Sequence, residues 1–429
     1  MGWENVISFV GLFLIVGFAW AFSTQRSAVQ LRIIAWGLGF QFLFGAIIFG
    51  LPFGERLFLF LNHLVANLLG YAEEGASFLF GPLAIPAGAE GSLGYMLAFQ
   101  ALPAVIFFSA IMGLLYHWKV MPWVIGRFAR VFTRSMRVSG AEGVCATSNI
   151  FVGIESAMAI RPFLRNMTRS ELCLLLTAGM ATIASTVLGL YVLTLQSVFP
   201  DIAGHLVTAS LLSAPAALVM AKVLMPETGQ PETLGEEVRP QIERKDNWMQ
   251  AVTDSSMEGF KLAVGIGVAL IAFISLLALV NGATGWVGSW FGLESLRLEQ
   301  IAGWLFIPFA FLMGVTPADV PAVSELMGLR LLITEVPAYQ QLAVWIQEGT
   351  LQSPRSAVIA TYALCGFAHV ASLGIFMGGI AALEPSRTKD LGAVGLRALG
   401  AATLACLMTG CIAGIFTFAD AVNLLQVAE

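Results

Sequence analysis

The chain has 429 residues, of which 58% are hydrophobic and 11% are charged, and its mean hydropathy is +0.82. These values lie outside the range of soluble globular proteins, so the sequence predicts a polytopic membrane protein surrounded by lipid. The formal net charge of -5 offers no basic surface for a nucleic acid, and no nucleic-acid partner is expected. The five cysteines all lie in apolar segments without the spacing of a disulfide framework or a zinc site, which indicates packing residues.

Eight apolar stretches are long enough to cross the hydrocarbon core of a bilayer, which takes roughly 20 helical residues. They lie at 6–23, 31–51, 95–117, 169–198, 203–224, 259–280, 355–382 and 393–418. Two further apolar regions, 139–165 and 301–347, are interrupted by Gly, Pro and acidic residues, which is typical of re-entrant helical hairpins. The predicted fold is therefore an all-α membrane protein with eight transmembrane helices and two re-entrant hairpins.

The positions of the basic residues predict how these segments are oriented. Arg26 and Arg32 lie between the first two spans, which places that loop inside the cell. Segment 119–137 carries four arginines at helical intervals among aromatic and aliphatic residues, as an amphipathic helix at the inner membrane surface does. The region 139–165 has basic residues on both sides, so it is expected to enter and leave by the same face. Both termini are predicted to lie outside.

The two broken regions have corresponding surroundings in the two halves of the chain. Each is followed by a span with a polar interruption, which is Thr182-Ile-Ala-Ser-Thr186 in the first half and Gly366-Phe-Ala-His-Val-Ala-Ser372 in the second. The two hairpins are predicted to enter the membrane from opposite faces. This topology predicts an inverted repeat, and interrupted segments at corresponding places are the sequence sign of a secondary transporter's binding site.

Glu155 and Glu335, one in each broken region, are the candidates for a binding site. A carboxylate inside a membrane is costly unless it has a partner, water or a ligand, so a substrate or ion role is one interpretation and a structural pairing is the other. His369 is either a packing residue, a ligand for a polar solute or a proton relay, because imidazole titrates near neutral pH. The sequence has no nucleotide-binding loop and no nucleophile with its base, so it does not predict an enzyme.

Several segments together resemble the concentrative nucleoside transporter family. They are Ser139-Gly-Ala-Glu-Gly143, Asn149-Ile-Phe-Val-Gly153, Thr177-Ala-Gly-Met-Ala-Thr-Ile183, Met257-Glu-Gly-Phe-Lys-Leu-Ala263 and the run 353–368. The resemblance implies a homotrimer in which a mobile transport domain moves like an elevator against a scaffold. It also implies a domain division. The scaffold has helices 1–3 and the interfacial helix at 1–138, and the sixth helix with an outer loop at 248–300. The transport domain has its first half at 139–225 and its second half at 301–391, with a linker at 226–247 and a final helix at 392–429.

The resemblance also implies the site residues. Those expected to face the nucleobase are Gly153, Ile154, Glu155 and Val187. Those expected to hold the ribose are Glu335, Phe367, His369 and Ser372. The oxygen ligands expected for Na+ belong to Asn149, Val152, Thr182 and Ile183.

The first hairpin departs from the family pattern. This chain has Gly153-Ile-Glu-Ser-Ala-Met158 where the family usually has Gly-Gln-Thr-Glu-Ala-Pro, and isoleucine cannot make the amide contacts of glutamine. The broken acidic segments and the family resemblance together predict a cation-coupled symporter of a bacterial inner membrane that imports nucleosides. Na+ is the expected coupling ion, H+ is the alternative, and no organic cofactor is expected. A non-nucleoside polar solute, or a sensing or assembly role without net transport, stays open.

Overall fold

The computed structural model describes residues 2–86, 89–153, 156–241, 245–290 and 297–417. Within these ranges the chain is helical, with one isolated β-bridge between Ser139 and Leu234 and no strand. Seven of the described helices are long and apolar enough to cross a membrane. The prediction of an all-α membrane protein is therefore confirmed.

The described residues of the first third of the chain form six α-helices. They are α1 (Trp3–Ala21), α2 (Leu31–Gly50), α3 (Pro52–Phe80), α4 (Leu97–Gln100), α5 (Leu102–His117) and α6 (Val120–Met136). The sequence did not predict the 29-residue α3 because three glutamates keep its segment below the hydropathy of a membrane span. The amphipathic segment 119–137 is confirmed as α6, which buries Met121, Ile125 and Phe132 at helical spacing.

The middle of the chain contains the first set of interrupted helices and the longest helix. The helices are α7 (Gly140–Ser148), α8 (Ser156–Ala159), α9 (Arg169–Ala181), α10 (Ser185–Leu195), α11 (Ile202–Leu224), α12 (Trp248–Ser289), α13 (Leu298–Trp304) and α14 (Ile307–Leu312). Ser139 and Thr168 begin α7 and α9, because each side chain accepts the backbone N–H of a glutamate three residues later and that glutamate bonds back. Two of the unpaired N–H groups at each helix start are thereby satisfied.

The last third repeats the order of α7 to α11. Its helices are α15 (Val320–Leu332), α16 (Glu335–Gln347), α17 (Pro354–Leu364), α18 (Val370–Leu383) and α19 (Thr388–Phe416). A helix pair, an interrupted helix and a long helix thus occur twice in the same order. The polar interruptions predicted at 182–186 and 366–372 both coincide with breaks between helices, because α9 ends at Ala181 and α17 ends at Leu364.

Two predicted boundaries differ from the structure. The second helix pair begins at Val320 and not at 301, because α13 and α14 precede it and the chain turns at Gly314, whose φ of 79° favours glycine. The sixth span extends well beyond 259–280 in both directions, since α12 has 42 residues. No glycine or proline occurs at 248–258, so the polar residues there do not end the helix.

Helix α12 packs along α5 through small residues. A Cβ atom on Gly113 would lie 2.3 Å from Ser255 Oγ, and one on Gly259 would lie 2.5 Å from Ser109 Oγ, so only glycine allows this separation of the two backbones. The opposite face of α12 exposes large apolar side chains, including Ile271 with 73% of its surface accessible. In a membrane, that face contacts lipid or another protein surface.

The linker after α11 is docked against the first helix pair over its described residues, 226–241. The Gly140 N–H donates to the Thr233 carbonyl at 2.9 Å, at the first residue of α7. Glu237 receives hydrogen bonds from Arg130 Nε at 2.8 Å and Arg134 NH2 at 2.6 Å on α6. The hydrogen bond from Arg130, more than the charges of the two arginines, holds the pKa of Glu237 below its ordinary value. The linker therefore connects α6 to the start of α7.

Candidate substrate and cation sites

Glu335 is the first residue of α16, directly after the tip that joins α15 to α16. Thr334 caps this helix by accepting the Val336 N–H at 3.3 Å, and the positive end of the helix dipole favours a carboxylate at this position. The Glu335 side chain is buried, with 4% of its surface accessible. Its Oε1 oxygen accepts a hydrogen bond from Tyr191 Oη on α10 at 2.6 Å. A hydroxyl from the first half of the chain thus holds a carboxylate of the second half.

His369 caps the start of α18 and also approaches Glu335. Its Nδ1 atom accepts the Ser372 N–H at 3.2 Å, so the proton of a neutral ring lies on Nε2. Nε2 is 2.7 Å from Ser372 Oγ and 3.1 Å from Glu335 Oε2. The structure therefore brings three of the four residues expected at the ribose, Glu335, His369 and Ser372, into one buried cluster.

The second carboxylate oxygen of this cluster is a buried acceptor without a donor. Although Glu335 Oε2 is close to His369 Nε2, it has no aligned hydrogen bond from any residue that the structure describes. A buried acceptor without a donor is unfavourable by about 1–3 kcal/mol, and more when it is charged. A hydroxyl of a polar solute would satisfy this oxygen.

A second group of buried oxygen atoms lies where α7 meets the break between α9 and α10. Ser210 Oγ on α11 donates toward the Ile150 carbonyl at 3.1 Å and the Ile183 carbonyl at 3.3 Å. The Ser185 N–H donates to the Phe151 carbonyl at 3.0 Å. The tip after α7 and the break after α9 are thus held side by side, and these two segments contain the four residues expected to bind Na+.

The chemistry of these residues fits a hard cation. Asn149 is fully buried, and its Nδ2 donates to the Cys145 carbonyl at 2.9 Å while its Oδ1 has no donor among the described residues. Thr182 uses its hydroxyl hydrogen toward the Ala178 carbonyl at 2.9 Å, so the lone pairs of this buried oxygen are not used in that bond. Neutral oxygen atoms at the negative ends of two helices are the environment that Na+ prefers in transporters. In the described ranges no three His, Cys, Asp or Glu residues cluster as a metal site.

The breaks of the two interrupted helices touch each other at α19. Cys406 Sγ lies 3.8 Å from the carbonyl of Ala181, the last residue of α9, and 3.6 Å from the carbonyl of Cys365, which directly follows α17. A Cβ atom on Gly366 would lie 2.7 Å from Cys406 Sγ and 2.9 Å from the Ala181 oxygen. The Gly366 backbone therefore sits directly against the end of α9, and the two candidate sites belong to one packed unit.

The remaining predicted site residues are distributed around this unit. Val187 is buried at the start of α10, and Gly153 is buried in the tip after α7. Phe367 is half-buried in the break before α18. Ile154 and Glu155, expected at the nucleobase, lie outside the described residues.

Tyr191 and Ser210 carry contacts that sequence reasoning did not find. Tyr191 lies one helical turn after Val187, so the helical spacing was the signal that would have placed it on the same face. Ser210 gave no comparable signal, because a serine in a membrane span is most often bonded to its own helix.

A cavity of about 1120 Å³ opens beside the first helix pair. Its lining includes Val152 at the tip and Thr186 at the start of α10, and basic residues of α6 such as Arg127 and Arg130 border it. Neither Glu335 nor His369 lines this cavity. The cavity therefore reaches the expected cation segment, whereas the carboxylate cluster is enclosed.

Comparisons with known proteins agree with these features. Three family models match, namely "Na+ dependent nucleoside transporter N-terminus" at 10–83, "Nucleoside recognition" at 98–198 and "Na+ dependent nucleoside transporter C-terminus" at 205–414. An uncharacterized transporter from Haemophilus influenzae is 34% identical over 95% of this chain and 97% of its own length. The chain belongs to the concentrative nucleoside transporter family. This is a family of transporters and not of enzymes, as predicted.

The similarity to other family members extends over the whole fold. Solute carrier family 28 member 3 from Homo sapiens is 39% identical over 97% of this chain, and the chain spans 60% of the length of that relative. The solved structure of CNTnw in an inward-facing substrate-bound state has a TM-score of 0.89 and 32% identity, with 98% of this chain and 100% of that chain covered. An outward-facing state of a CNTnw variant also has a TM-score of 0.89. The all-helical fold is thus that of the nucleoside transporter family.

Proposed function

We propose that this family member is a Na+-coupled symporter that imports nucleosides, and that Glu335 accepts hydrogen bonds from the ribose. The observation that carries the proposal is the buried Glu335 Oε2 oxygen, which lacks a hydrogen bond while Tyr191 holds the other carboxylate oxygen. A carboxylate fixed in this way accepts a sugar hydroxyl, and it rejects an analogue that lacks the hydroxyl because its own oxygen then stays unpaired.

The coupling ion in this proposal binds between Asn149 Oδ1, the Thr182 hydroxyl and the carbonyls of Val152 and Ile183. The unpaired Asn149 Oδ1 supports this assignment, since it is a buried acceptor at the negative end of α7. A cation there would fix the tip of the first helix pair, where Gly153 and Val187 are expected to meet the nucleobase. Cation and nucleoside would then raise each other's affinity by the same factor.

Transport in this proposal follows an elevator mechanism, in which the two repeats move as one body. The contact of Cys406 with both helix breaks and the close approach of Gly366 to α9 support this, because the two breaks pack directly against each other and against α19. The scaffold would contain α5 and α12, whose exposed apolar face fits the expected homotrimer. Asn5 Nδ2 lies 3.0–3.1 Å from three carbonyls at the end of α19, so α1, which is expected in the scaffold, contacts the last helix. The expected location is a bacterial inner membrane, with both termini outside.

The proposal is tested by uptake into proteoliposomes loaded with K+ and diluted into Na+. With this Na+ gradient we expect radiolabelled uridine or adenosine to accumulate above its external concentration. With equal Na+ on both sides we expect it to equilibrate without accumulating. Glu335→Gln keeps the volume of the side chain but removes its charge and should abolish accumulation. Accumulation by this variant at the native rate, or equal uptake with and without a Na+ gradient, would refute the proposal.

Proton coupling is a second candidate because His369 Nε2 lies 3.1 Å from Glu335 Oε2 inside the same cluster. Accumulation driven by an inward pH gradient in Na+-free buffer would favour this alternative over Na+.

A further inference from the structure

Arg330 is a fully buried arginine that neither candidate site uses. It lies in the last turn of α15, five residues before Glu335, and its side chain has 0% of its surface accessible. Its NH1 donates to the Ala363 carbonyl at 2.6 Å, near the end of α17. Its Nε and NH2 have no hydrogen-bond partner among the described residues. The Cys406 thiol lies beside the guanidinium, but sulfur is a weak acceptor.

The guanidinium is not neutralised by a carboxylate, since no described acidic residue forms an ion pair with Arg330. Its charge instead faces the C-terminal ends of two helices. Arg330 is in the final turn of its own helix, and Ala363 precedes the last residue of α17. Each helix end carries a partial negative charge from its unpaired carbonyls, which favours a cation at that place.

The first repeat also brings two helix ends together, but without an arginine. There α7 and α9 end side by side, held by Ser210 between the Ile150 and Ile183 carbonyls. The residue directly after α7 is Asn149, a neutral side chain that presents an unpaired oxygen. Two converging helix ends therefore meet an oxygen acceptor in the first half and a fixed positive charge in the second.

We infer that Arg330 is the resident cation of the second repeat, at the place that corresponds to the cation cage of the first. This inference rests on the Na+ site proposed above. Arg330 is a positioning residue, because it holds the end of α15 against the end of α17 and so places Glu335 beside His369. The tip of the first helix pair would then depend on a bound Na+ for its positive charge, while the tip of the second depends on a charge that is part of the chain.

The inference predicts that substrate affinity depends on a positive charge at position 330, independently of Na+. Arg330→Met keeps an unbranched side chain without the charge, and we expect uridine to bind roughly tenfold to hundredfold more weakly at saturating Na+. Arg330→Lys should bind within a few-fold of the native protein. Arg330→Ala should be restored by guanidinium chloride at low millimolar concentration and not by urea, which has a similar shape but no charge.

A matched control is Arg355, the other fully buried arginine among the described residues. Its Nε donates to the Gly314 carbonyl at 2.9 Å and its NH2 to Ser8 Oγ at 3.0 Å, so its donors are satisfied. Arg355→Ala should lower the melting temperature without a comparable loss of uridine affinity in the folded protein. This control separates the loss of a buried arginine from the loss of the proposed resident cation.

The experiment measures uridine affinity by calorimetry and Na+ binding by the thermal shift of the substrate-free protein in detergent. We expect Arg330→Met to lose uridine affinity and keep the Na+ shift, and Asn149→Ala to lose the Na+ shift. If Arg330→Met binds uridine as the native protein does, or if urea restores Arg330→Ala as well as guanidinium does, the inference is wrong while the proposed function stands. If the native protein shows no Na+ shift or no uridine binding, the proposed function fails and this inference fails with it.

Discussion

Replacing Tyr191 with phenylalanine isolates the hydrogen bond that holds Glu335. The substitution removes the hydroxyl that donates to Glu335 Oε1 at 2.6 Å and keeps the ring that packs 5.1 Å from the Tyr339 ring. A hydrogen bond to a charged group contributes about 1.5–3 kcal/mol, and each 1.4 kcal/mol is a tenfold change in affinity. Because the freed carboxylate can turn away from the ligand, we expect uridine affinity to fall by roughly tenfold to hundredfold.

The assay is calorimetric titration of uridine at saturating Na+, with Tyr362→Phe as the matched control. Tyr362 is also fully buried, and its hydroxyl lies 3.2 Å from Nδ1 of His205 on α11. The control should change stability but leave uridine affinity within a few-fold of the native value. Native affinity in Tyr191→Phe, or an equal loss in both variants, would refute the role given to Tyr191.

Three further predictions concern the cation cage, the helix breaks and the linker. Asn149→Ala should raise the Na+ concentration for half-maximal uptake at least tenfold, because it removes the buried Oδ1 ligand; unchanged Na+ dependence would exclude Asn149 as a ligand. Gly366→Ala should destabilise the protein by about 1–3 kcal/mol in thermal unfolding, since its Cβ would meet backbone, whereas Gly378→Ala has open space and should be neutral. Because the pKa of Glu237 is lowered, its ion pairs with α6 are present at every pH above the ordinary pKa of glutamate. They are lost only as pH falls through the lowered pKa. Proteolysis of the linker should therefore be constant from neutral to mildly acidic pH and rise at lower pH, and Glu237→Gln should be cleaved readily at every pH.

The parts of the fold that the sequence predicted are those with a local physical signal. Polar residues within an apolar run cannot continue a lipid-facing helix without cost, so the breaks at 182–186 and 366–372 were visible in the composition alone. The amphipathic pattern of α6 is a local signal of the same kind. Glu335 and His369 were selected because buried ionisable groups are rare in membranes, and the structure places them 3.1 Å apart.

The parts that the sequence did not predict depend on contacts between distant segments. Tyr191 and Glu335 are 144 residues apart, and nothing in the sequence near either residue indicates the other. Helix α3 combines apolar residues with glutamates, so hydropathy alone does not identify it. Arg330 is an ionisable residue within a broken apolar region, yet its role depends on the carbonyl of Ala363, which only the packing of α15 against α17 brings near.

The central claim is that Glu335 binds the hydroxyls of the ribose, and calorimetry with uridine and 2′,3′-dideoxyuridine tests it most directly. The native protein should bind uridine far more tightly than the dideoxy compound, because loss of the hydroxyls leaves the buried carboxylate oxygen unpaired. Glu335→Gln should bind the two compounds with similar, weak affinity. If the native protein does not distinguish the two compounds, or if the variant distinguishes them as strongly as the native protein does, the claim is contradicted.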